Sequence, residues 1–205
     1  MIAPPALIAA AALSLMVAAP PAALTGRAVD RSEAVNAFEA VRDGDMAPAD
    51  ALAGRAFHIA APVAVSDWSY DPGLEVLTFR PTPKFWSGSS TPALAGAMGL
   101  RIGERADGEV LAVTLAPGAF DWLMGGEGLT AVRLPMTPGA EAATAGSMRL
   151  VIDGVFAPLD GHHPAVCGAV GEGCILGARI DDLVLVYGSG SAPHVLARWD
   201  PATGE

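Results

Sequence analysis

GLRIGERADGEVLAVTLAP, residues 99–117, sets two apolar runs on either side of Asp107-Gly108. Asp-Gly is the pair that tolerates positive φ at both centres of a tight hairpin turn. The return run, Val110-Leu111-Ala112-Val113-Thr114-Leu115, is rich in residues that fit a pleated, mostly buried surface. The stretch predicts an antiparallel hairpin.

The same signals recur along the chain. RAFHIAAPVAV (55–65) predicts a strand interrupted by Pro62, and GLEVLTFRP (73–81) one with a half-buried second face. LTAVRLP (129–135) reads as a strand ended by Pro135, after a single helical turn in APGAFDWLMGG (116–126). SMRLVIDGVFAPL (147–159) carries a second Asp-Gly, at 153–154, and with it a second predicted hairpin. CILGARI (174–180), DLVLVYG (182–188) and PHVLARW (193–199) complete the set.

Helical periodicity is confined to residues 30–43. There Val35, Phe38 and Val41 fall on one face, Asp30 or Ser32 can cap the start, and Gly44 ends the helix. About nine short strands at close spacing, without strand–helix alternation, predict a mostly β fold. The expected architecture is an antiparallel β-sandwich or small barrel with one short N-terminal helix.

Composition narrows the function. The 205 residues are 52% hydrophobic and 17% charged, so the chain can bury a core. A net charge of −10, with the arginines scattered singly, provides no basic stripe for phosphates, and nucleic acid is excluded as a partner. Residues 1–23 have the length and Ala/Leu texture of a signal peptide or N-terminal anchor, although no Lys or Arg precedes Arg27. Residues 24–205 then form a single mainly-β domain. No second apolar stretch is long enough to span a membrane once the leader is removed.

GHHPAVCGAVGEGC (161–174) holds both cysteines and two of the four histidines. Zinc could draw on Cys167, Cys174, His162 and His163, with Asp160 or Glu172 as a general base. The cysteine spacing is not that of a CxxC clamp, and adjacent histidines on an extended backbone point to opposite sides. Thiolate chemistry would need a nearby positive charge, and none lies between Arg149 and Arg179. In an exported chain, two cysteines most simply form one disulfide, Cys167–Cys174.

Elsewhere the sequence has no nucleophile elbow, dinucleotide loop or phosphate loop. No catalytic residue and no cofactor is expected. Trp68 and Tyr70 in SDWSYDP, with Phe85 and Trp86 in PTPKFWSGSSTP, fall in segments read as loops and define a candidate ligand or partner surface. The sequence therefore predicts a periplasmic or secreted, non-enzymatic binding or interaction module of bacterial type. Its partner would be an envelope protein or a small ligand. The alternatives are a metal-dependent hydrolase built on the 160–174 loop with His162 and His163, and an envelope-assembly subunit pairing through a sheet edge.

Overall fold

The computed structural model describes residues 27–79, 83–115, 117–124, 132–133, 148–159, 164–188 and 193–199. The chain is mostly β, with antiparallel sheets stacked in the manner of a sandwich, and no closed barrel forms among the described residues. The leader at 1–23, Asp160, His162 and His163 lie outside them. No helix among the described residues is long and apolar enough to cross a membrane.

The first sheet joins β1 (Ala56–Pro62), β8 (Arg149–Phe156), β11 (Ala178–Tyr187) and β12 (His194–Trp199), in that order and all antiparallel. The second runs β4 (Lys84–Phe85), β5 (Met98–Glu104), β6 (Val110–Thr114), β10 (Cys174–Leu176), β9 (Ala165–Cys167). Its β6–β10 pairing is parallel; its other pairings are antiparallel. A smaller sheet pairs β2 (Trp68–Asp71), β3 (Val76–Phe79) and β7 (Val132–Arg133).

Inward residues of all three sheets share one core. Ile59, Leu77, Ile102, Leu111, Ile152 and Leu183 are each fully buried in it. Helix α1 (Arg31–Arg42) adds Ala34, Ala37 and Phe38 to that core. The expected Asp30 cap is present: its side chain accepts from the Glu33 N–H at 3.0 Å. Gly44, at φ 89°, lies just beyond the helix. On the other face of the second sheet, Trp86, Leu94, Ala112 and Ile175 form a separate small cluster.

The Asp107-Gly108 hairpin is present as β5–β6. The second predicted hairpin is not. Asp153 and Gly154 lie inside the continuous strand β8, which pairs along its whole length with β1 and β11. A Cβ on Gly154 would fall 2.2 Å from the Arg179 carbonyl and 2.8 Å from the Phe57 ring. This glycine serves close packing opposite the bulge that skips Asp181 in β11, and a turn reading cannot be told from that reading by the dipeptide alone.

Three further boundaries differ from expectation. The break expected near Asp181 falls at Gly177, where the chain leaves the second sheet for the first. Residues 116–126 hold a longer helix than one turn, α3 (Pro117–Met124), and α2 (Ala47–Asp50) is an additional short helix. SDWSYDP is not a loop at its centre: Trp68–Asp71 is a strand whose partner is β3.

One ion pair ties the helix to the sheet. Arg42 Nη2 donates to both carboxylate oxygens of Glu109, at 2.9 and 2.8 Å, and Nη1 donates to the Gly168 carbonyl at 2.6 Å. The Glu109 side chain is 4% exposed. Removing one partner of a buried pair strands the other charge. We therefore expect Arg42→Ala to lower unfolding free energy by about 3 kcal/mol in urea titration, whereas Arg42→Met with Glu109→Leu recovers most of that loss.

Candidate functional site

Two features stand out: the cysteine hairpin and a cleft beside β5. In the hairpin, Cys167 and Cys174 face each other across antiparallel β9 and β10 and are joined by a disulfide, with Cα atoms 4.1 Å apart. The Gly168 N–H donates to the Gly173 carbonyl at 2.9 Å, so the neighbouring cysteine pair occupies the non-hydrogen-bonded register, where strands approach most closely. Both sulfurs are thereby taken, which removes Cys167 and Cys174 as zinc ligands. Among the described residues no group of three or more His, Cys, Asp or Glu is arranged to hold a metal.

The tip of this hairpin is anchored from both sides. The Gly171 N–H donates to Glu109 Oε1 at 2.8 Å. Opposite, Glu172 Oε2 accepts from Ser89 Oγ at 2.6 Å and from the Ala169 N–H at 3.2 Å, while its carbonyl accepts from Trp86 Nε1 at 2.8 Å. The Ser89 hydroxyl, above all, holds the Glu172 carboxyl below its ordinary range. Between these anchors the tip of the hairpin is exposed, with Val170 at 91%.

The cleft has a volume of about 290 Å³ and opens where the end of β1 passes β5. Its floor is apolar: Ala61, Val63, Phe79, Leu100 and Leu150. Four charged side chains, Arg31, Asp67, Arg101 and Glu104, line it as well. The arrangement originates in a β-bulge. Arg101 pairs with Ala112 and Gly103 with Leu111, so Ile102 drops out of register. Its carbonyl accepts from Arg31 Nε at 2.7 Å instead.

The bulge also resets the alternation of β5, so that Arg101 and Glu104 are both exposed and form an ion pair. In an unbroken strand, residues three apart would face opposite sides. Gly103 is part of the same device. A Cβ there would come within 3.0 Å of Arg31 Nη2, so the missing side chain lets the guanidinium lie close against the strand.

The four aromatic residues proposed as a surface differ in burial: Trp86 is buried, Trp68 and Tyr70 are half-buried, and Phe85 is exposed. Trp68 and Tyr70 are half-buried on alternate positions of β2 and pack on the main core. Burial pushes the Tyr70 hydroxyl pKa up, with Glu75 and Asp71 adding to the effect. Trp86 is 3% exposed, its ring seated where a Cβ on Gly99 would reach within 3.0 Å. Phe85 alone is largely open, at 53% exposed, with its ring edge-on to Phe120 at 5.9 Å. A surface reading of Trp86 is thus corrected by its burial. The readings of His162 and His163 fall outside the described residues.

Sequence reasoning passed over Arg31 and Arg101. The available signal was Gly103, an isolated glycine within a strand pattern, which marks a bulge or a close approach.

Two outcomes test the hairpin. Replacing Cys167 and Cys174 together by Ala should cost about 2–3 kcal/mol in urea titration, from the loop entropy returned to the unfolded chain. A carboxyl whose pKa is lowered on folding stabilises above its ordinary value and ceases to do so as pH falls through the folded value. The stability gap between the parent and Glu172→Gln should therefore be full above pH 4.5, the ordinary glutamate value, and close on acidification below it. No protein-family model matches the chain, and no curated protein or solved structure matches it.

Proposed function

We propose that this chain is an exported, non-enzymatic binding module that works in a bacterial periplasm or envelope. The observation that carries the proposal is the Cys167–Cys174 disulfide, set across two strands with Cys174 fully buried. Such a clip is stable in an oxidising compartment and is reduced in most cytosols. The apolar leader-like stretch at 1–23 supports the same compartment. The cleft beside β5, with a hydrophobic floor and a few fixed polar groups, has the make-up of a small-ligand site.

Fractionation of an expressing bacterium, followed by maleimide labelling of unfolded protein with and without prior reduction, tests the reading. The expected result is a shortened chain in the periplasmic or secreted fraction, labelled only after reduction. A full-length cytosolic chain with two reactive thiols would overturn it. Metal analysis of the same material bears on the hydrolase alternative: about one equivalent of zinc, lost on replacing His162 and His163 by Ala, would install that alternative in its place.

A further inference from the structure

The geometry points to the class of ligand: a small monocarboxylate with an apolar body, seated in the β5 cleft with its carboxylate on the Arg31 guanidinium. This inference deepens the binding-module reading and rests on it.

Arg31 is held in place before any ligand arrives. Its Nε is committed to the Ile102 carbonyl, and its plane lies against Gly103. The two Nη nitrogens have no hydrogen-bond or ion-pair partner among the described residues. In a chain of net charge −10 that is unusual company for an arginine. Arg42, Arg55, Arg105 and Arg198 each meet a carboxylate, as does the neighbouring Arg101. A guanidinium with Nε occupied still offers a pair of donors, and a carboxylate is the anion whose planar geometry suits them. Because the side chain is already fixed, little rotamer entropy is lost when the ligand binds.

The remainder of the cleft restricts what can accompany that carboxylate. Ala61, Val63, Phe79, Leu100 and Leu150 favour a hydrocarbon body. The volume, about 290 Å³, lies at the small end for ligand sites. Glu104 is already neutralised by Arg101, so Arg101 adds little net positive field. A phosphate monoester or a dicarboxylate would bring two charges to one open guanidinium. A single carboxylate would not.

The test is an amide-resolved NMR titration of the purified, isotopically labelled chain with sodium hexanoate, hexan-1-ol and disodium adipate. Hexanoate is expected to give saturable shifts at Val63, Leu100, Ile102 and Gly103. Hexan-1-ol and adipate should each bind at least tenfold more weakly. Arg31→Gln should lose at least tenfold in hexanoate affinity. So should Gly103→Ala, which keeps the arginine but denies it its seat.

The inference is overturned if hexanoate gives no saturable shift at these amides, or if hexanol or adipate binds as well. It is overturned equally if a folded Arg31→Gln protein keeps parental affinity. The three-ligand comparison on the parent decides the matter even where a variant fails to fold. A chain that is exported and oxidised yet ignores hexanoate loses this inference alone. A cytosolic, reduced chain that discriminates hexanoate from hexanol loses only the export reading.

Discussion

A carboxylate almost closed off from water constrains this molecule more than any other single group. Glu109 closes the β5–β6 turn, and its side chain is 4% exposed. A lone charge in that setting is costly, and it becomes tolerable only when opposite charge and N–H donors surround it. Arg42 brings the end of α1, and the Gly171 N–H brings the tip of the disulfide hairpin. Three segments far apart in sequence must therefore converge before the charge is satisfied. The clip between Cys167 and Cys174 keeps one of them in the right shape. The ring of contacts is not without cost, since Arg42 Nε is buried with no hydrogen-bond partner.

The fold class was legible because alternation, turn residues and capping all act over a few positions. Asp107-Gly108 between apolar runs, Asp30 before a helical face and Pro62 at a strand end each report local geometry, and each is found where local geometry requires it. Readings failed where a distant neighbour decides. Asp153-Gly154 has the chemistry of a turn, yet the Phe57 ring and the β11 backbone make use of the missing side chain. Trp86 stands in a Pro/Ser-rich stretch with a loop's composition, but β5, β6 and β10 provide a pocket for it. The disulfide was readable from cysteine number and spacing. That Glu172, flanked by glycines, would be pinned by Ser89 and Trp86 was not, because those partners are more than eighty residues away.

The cleft shows how one irregularity can produce several effects. A single extra residue at Ile102 releases a carbonyl, shifts the phase of a strand and leaves a glycine facing a helix. From those follow a fixed arginine, a neutralised neighbour and an apolar trough between them. Bulges are common where a sheet must re-aim a side chain. Here the side chain re-aimed belongs to α1, so helix and sheet define the cleft together.

Sheet order carries a kinetic consequence. The strand holding His58 finds its neighbour 95 positions later, at Asp153, and β11 completes the arrangement later still. Pairing strands so far apart along the chain means closing a large loop, and such closure is slow. Assembly of that sheet therefore waits on partners that no short segment of the chain can supply by itself.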